Sequence, residues 1–172
     1  MRRVGAIILY CLVLGIPQGR AQHSEYAVKA AFLYNFAKFA EWPEVSFASE
    51  DGPFVVGVVG EDPFGGVLER TLTDKTLKGR EVKVVRFAKP VEALRTCHIL
   101  FVGKDTKKRL KEVIAQIDGA SVLTVGEMGG FIAAGGMINF VLVEGRVRFA
   151  INWVKAKKVG LKVSAKLLKL SL

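Results

Sequence analysis

Glu144 and Gly145, set between two runs that read as strands, constrain this chain more than any other feature. Residues 137–143 and 146–151 are joined by those two positions alone, so they must pair as an antiparallel hairpin. Gly145 supplies a residue that tolerates positive φ in the turn. In the second run Val147, Phe149 and Ile151 point one way, while Arg146, Arg148 and Ala150 point the other. One face is thereby assigned to a core and the other presents two guanidinium groups to an accessible surface. Asn152 is a good N-cap for a short helix over residues 153–159, which Gly160 is placed to end. Ser164 can cap a second short helix carrying Leu167, Leu168 and Leu170. No acidic side chain follows Glu144, so the closing segment is entirely basic.

Upstream, residues 24–40 read as a helix, with Glu25 in its first turn and Pro43 beyond its end. Phe32, Phe36 and Phe39 form one apolar stripe, and Tyr26, Ala30, Leu33 and Ala37 another, so the helix is covered on two sides. Trp42-Pro43 turns the chain, because proline keeps the preceding residue out of helical geometry. Residues 54–59 form an unbroken apolar strand, as expected where both faces are covered. Asp62-Pro63 reads as the cap and first position of a helix to Leu72, followed by a polar loop over residues 73–79. Residues 81–87 alternate like an edge strand, residues 90–95 make a short helix, and residues 98–102 a third, buried strand. Asp105 or Thr106 caps a helix to Ile117, stopped by Gly119, and residues 121–125 form a fourth strand. Strands alternating with helices imply an α/β fold: one layered domain, a mostly parallel sheet flanked by helices, with a C-terminal antiparallel hairpin. At 172 residues, 51% of them hydrophobic, a single well-cored domain is expected over residues 22–172.

Residues 1–21 are set apart. Arg2 and Arg3 precede an apolar run over residues 6–16, which ends in Pro17-Gln18 and the small-residue pattern Gly19-Arg20-Ala21. This is the pattern of a secretory signal peptide cleaved after Ala21, and the run is too short for a membrane span. Cleavage leaves 23 basic against 16 acidic residues, a net charge of +7. Outside the cytoplasm that charge points to acidic protein surfaces, anionic headgroups or small anions, and away from nucleic acid. Only Cys97 survives cleavage, so no intramolecular disulfide can form, and its place before a buried strand makes it an inert core thiol.

Catalytic and metal-binding patterns are not found. The glycines at 57, 60, 65 and 66 miss the dinucleotide spacing, there is no P-loop lysine, and two histidines with one cysteine make no zinc-type cluster. Glu61, Asp62 and Glu127 stand near strand ends, where turn formation and helix capping account for them. A non-enzyme with no cofactor and no metal is the expectation. The candidates for recognition are Arg146 and Arg148, which could together hold a carboxylate, a phosphate or an acidic partner. Trp42, Phe131, Phe140 and Met128 could line an apolar pocket beside them, or be ordinary core.

Four stretches, VKAAFLYNFAKFAEWP, FVVGVVGEDPFG, CHILFVG and GGMINFVLVEGRVRFAIN with its following VGLKVSAKLLKL, resemble the YfiR family (DUF4154) of periplasmic proteins. They span the whole mature chain in the same order. The resemblance implies a periplasmic α/β domain that binds the periplasmic sensor domain of an inner-membrane diguanylate cyclase and represses it, lowering cyclic-di-GMP and biofilm formation. It further implies release through an outer-membrane peptidoglycan-binding lipoprotein, a homodimer, and a small pocket for an aromatic or anionic ligand. By position, Arg146, Arg148, Ile138 and Phe140 carry over as pocket or partner contacts. Redox control through a disulfide does not carry over, because Cys97 has no partner. A periplasmic small-molecule-binding protein serving another membrane signalling protein is the alternative.

Overall fold

The computed structural model describes residues 18–72 and 75–172. The elements are α1 (Gln18–Phe39), β1 (Ala40–Glu41), β2 (Phe54–Val59), α2 (Val67–Leu72), β3 (Thr76–Leu77), β4 (Arg80–Phe87), β5 (Ile99–Val102), α3 (Leu110–Gln116), β6 (Leu123–Gly126), β7 (Ile138–Val143), β8 (Arg146–Ile151), α4 (Trp153–Lys158), β9 (Lys162–Val163) and α5 (Ala165–Leu168). Seven strands form one sheet in the order β3-β4-β2-β5-β6-β7-β8. The pairs from β4 to β7 are parallel, and β3 and β8 add antiparallel strands at the two edges. The α/β class, the mostly parallel sheet and the terminal hairpin are as the strand–helix alternation requires.

Strands with both faces covered need apolar residues throughout, and β2 and β5 have them. On one face Phe54, Val56, Phe101, Val125, Ile138 and Phe149 pack against α1, α2 and the closing helices. On the other, Leu100, Val102, Leu94, Val113 and Phe131 make a second cluster beneath α3. The phenylalanines of α1 meet the hairpin directly: Phe36 lies 5.0 Å from Phe149, edge to face, and 5.7 Å from Phe140, stacked. A separate two-stranded pairing, Ala40 with Val163 and Glu41 with Lys162, clasps the end of α1 to the C-terminal segment. The Ser164 amide also donates to the Phe39 carbonyl at 2.9 Å, and Leu161 and Leu167 are buried behind it.

Both caps predicted in the closing segment are present, since Asn152 Oδ1 accepts from the Lys155 amide and Ser164 Oγ from Leu167. Elsewhere the structure corrects the reading. The helical backbone of α1 begins at Gln18 rather than Ser24. Most of the expected signal peptide lies outside the described residues. α2 starts at Val67 rather than Pro63, because Asp62 Oδ1 accepts from the Phe64 amide in an Asx turn and Gly65 takes φ +51°. The expected polar loop contains β3, in which Leu77 is buried, while residues 73 and 74 lie outside the described residues. Neither Asp105 nor Thr106 caps α3. A 3-10 segment, Lys104–Arg109, precedes that helix, Asp105 Oδ1 accepts from the Glu61 amide, and Thr106 Oγ1 donates to the Gly103 carbonyl.

Candidate functional site

An open parallel sheet offers a ligand crevice where neighbouring strands send their connections to opposite sides. Here that point lies between the ends of β2 and β5, and the chain itself fills it. The Asp105 carboxylate accepts from the Glu61 amide at 2.9 Å. A methyl group on Gly60 would lie 2.4 Å from that carboxylate, and one on Gly103 2.6 Å from the Glu61 carbonyl. Asp62 is also committed, to Arg86 at 2.7 Å, and Arg86 in turn to Glu69 at 2.5 Å. The Arg86 hydrogen bond is the main reason the Glu69 carboxyl is held below its usual range.

The next strand end is chemically richer. Glu127 follows β6, and its side chain is only 3% exposed and has three partners. It accepts from the Tyr26 hydroxyl at 2.8 Å, pairs with Lys29, and lies 3.4 Å from the Lys104 ammonium. Lys29 is itself buried and also pairs with Glu25 one turn earlier on α1. Burial first, and then the hydrogen bond to Glu127, pushes the Tyr26 phenol well above its ordinary range. Beside this cluster is a cavity of about 310 Å³ bordered by Met128, Asn139, Phe140 and Leu142. Asn139 Oδ1 accepts from the Met128 amide at 3.1 Å, which leaves its amide nitrogen free to donate.

The six residues proposed from the sequence fall in five places. Arg146 and Arg148 are exposed on β8, cross-strand from Val143 and Val141, and among the described residues neither makes an ion pair. Phe140 borders the 310 Å³ cavity, and Ile138 is fully buried beneath α1. Phe131 is fully buried on the opposite face, where Gly126 and Gly136 leave room for its ring. Trp42 is remote from all of these. Its Nε1 donates to the His98 carbonyl at 3.0 Å, and its ring borders a groove of about 720 Å³ with Glu41, Glu44, Phe47 and Arg80.

Sequence reasoning missed Lys29, Tyr26 and Lys104. The signal was present, because Lys29 sits in the buried stripe of α1 between Tyr26 and Leu33. A lysine there requires a carboxylate partner, although the pattern could not say which.

The YfiR/HmsC-like family model (DUF4154) matches residues 26–172. No curated protein matches the chain. Among solved structures, a conserved domain protein from Vibrio cholerae O1 biovar El Tor strain N16961 is similar, with a TM-score of 0.57 and 9% identity over 85% of this chain. The match covers 58% of that protein, and at this identity the likeness is one of fold alone.

Proposed function

The chain belongs to the YfiR/HmsC-like family, and from that premise we propose that it binds the periplasmic sensor domain of an inner-membrane diguanylate cyclase and holds the enzyme inactive. The family supports a periplasmic regulatory role in cyclic-di-GMP signalling. Repression of a cyclase is the finer reading, with residues 1–21 taken as the export signal and no catalytic step assigned to the chain. An outer-membrane peptidoglycan-binding lipoprotein that captures the protein, and a homodimer, belong to the same reading.

One observation carries it. The last strand of the sheet presents two guanidinium groups without partners among the described residues, in a closing segment that has no carboxylate side chain. Chains that only fold and dissolve usually intersperse the two signs of charge. Val141 and Val143 lie beside the arginines on the same face, so apolar and cationic groups are offered together. Ile138 and Phe140 support this strand pair from behind.

Deleting the gene should raise cellular cyclic-di-GMP, and the exported protein should restore it, whereas a form lacking residues 1–21 should not. The Arg146→Glu, Arg148→Glu protein should be exported and folded yet fail to restore repression. Unchanged cyclic-di-GMP in the deletion strain would remove the cyclase from the reading.

The 310 Å³ cavity favours a second reading, a small aromatic or anionic ligand held between Phe140, Asn139 and Lys104. A metabolite that binds there raises the melting temperature through RT ln(1 + [L]/Kd). Lys104→Ala should remove that rise, while its loss beside Glu127 lowers the melting temperature of the free protein only slightly because Lys104 is mostly exposed.

A further inference from the structure

The hydrogen-bond parity of the hairpin decides what its outer edge offers. The Asn152 amide donates to the Met137 carbonyl at 2.7 Å, one pair beyond the Ile138–Ile151 match. In an antiparallel ladder hydrogen-bonded and non-bonded pairs alternate. Asn139–Ala150, Val141–Arg148 and Val143–Arg146 are therefore the bonded pairs, and Phe140–Phe149 and Leu142–Val147 are not. On β8 the backbone groups of Val147 and Phe149 thus point away from β7, out of the sheet. Among the described residues no strand follows β8 in the sheet order. One of the outward groups is taken, since the Leu172 amide donates to the Phe149 carbonyl at 3.0 Å. The Val147 amide and carbonyl have no hydrogen-bond partner among the described residues, whereas Phe149 is only 1% exposed and its amide is covered, so Val147 is the open position of this stretch of edge.

We propose that this edge accepts an extended acidic segment of the signalling partner, added to the sheet as an eighth strand beside β8. This deepens the partner-binding reading above and rests on it. Backbone pairing supplies the register, and side chains supply the selectivity. A segment alternating acidic and apolar residues would set its carboxylates beside Arg146 and Arg148, and an apolar side chain beside Val147 on the core face. Opposite charges on neighbouring strands attract and like charges repel. A second copy of β8 is therefore a poor occupant, because it would set these arginines against themselves. The surrounding charge agrees, with Lys166 and Lys169 on the segment that brings Leu172 to the edge, and no acidic side chain after Glu144. Leu172 holds only one position, so the C-terminus limits how far an added strand can run.

The probe is a short acetylated peptide alternating glutamate and valine, titrated into the 15N-labelled protein. The Val147 amide should shift and become protected from exchange. Methylating the peptide nitrogen that faces the Val147 carbonyl should weaken binding about fivefold, as loss of one hydrogen bond requires. Arg146→Ser with Arg148→Ser should weaken it to a similar degree, and removing Ser171 and Leu172 should tighten it by freeing the Phe149 carbonyl. Equal binding of the methylated peptide, or an unmoved Val147 amide at millimolar peptide, would overturn the proposal.

A cellular arm separates this from the wider reading. Val147→Pro removes an outward donor without breaking a bond to β7, and proline is tolerated at such edge positions. If gene deletion raises cyclic-di-GMP but a folded Val147→Pro protein still represses, strand addition is wrong and the repressor reading stands. If deletion changes nothing, the repressor reading falls, and the peptide titration alone decides whether the edge takes an acidic strand.

Discussion

Phe131 shows what one residue can impose on its neighbours. A methyl group on Gly136 would lie 2.2 Å from its ring, and one on Gly126 2.7 Å, so the ring occupies the space that side chains would need. Gly136→Ala should destabilise the protein by about 1–3 kcal/mol through overpacking, measured by urea denaturation. An unchanged midpoint would mean that the ring moves aside freely. His98 makes a second prediction at this scale. It is buried between Phe47 and Phe54, at 4.4 and 4.7 Å, with Nδ1 accepting from the Val55 amide. Burial is the main cause that lowers its pKa to about 4, and the Arg80 charge adds to it. Between about 6.5 and 4 the unfolded chain carries the proton and the folded chain does not. Stability is therefore lost as pH falls through that window, by about 3 kcal/mol in all. His98→Asn, which keeps an acceptor for Val55, should flatten that slope; a slope equal to the parent's would assign the loss to other groups. Cys97 is simpler. Burial pushes its thiol up to about 12, so it is the inert core group that its position before an apolar strand implied.

At the scale of elements, α1 is tied to the end of β6 by the buried Lys29–Glu127 pair. Lys29→Met leaves a buried carboxylate with a weaker set of partners and should cost about 3–5 kcal/mol. Adding Glu127→Gln should recover much of that loss, and a double-mutant cycle from thermal melts measures the coupling. Additive losses would show that the two groups act independently. These elements also show what could be read from sequence. β2 and β5 were legible because burial on both faces demands unbroken apolar runs, and the hairpin was legible because a two-residue connection permits one topology. The start of α2 was not, because Asp62 serves an Asx turn and Arg86 rather than a cap. β3 was missed because two residues are too few to show an alternation. The Arg146 and Arg148 surface followed from strand parity, whereas the Lys29–Glu127 cluster joins residues far apart in the chain and no local pattern encodes their meeting.

For the whole molecule, separate surfaces lead to separable effects. Arg146→Glu with Arg148→Glu lies on the exposed face of the last strand and should change stability by no more than about 0.5 kcal/mol, while abolishing repression. Loss of repression accompanied by a large fall in melting temperature would instead mark the arginines as structural. The clasp of β1 with β9 has a consequence for how the chain comes to be folded. α1 precedes the other described elements in the chain, yet its end is held by Lys162 and Val163, and its phenylalanines rest on a hairpin about a hundred residues later. Contacts of such separation in sequence close late and slow the search for the native state. Until the hairpin over residues 138–151 has formed, Phe32 and Phe36 lack the Phe140 and Phe149 rings they rest on. Apolar rings uncovered during that interval invite clumping, so a chaperone or delayed folding would favour its maturation.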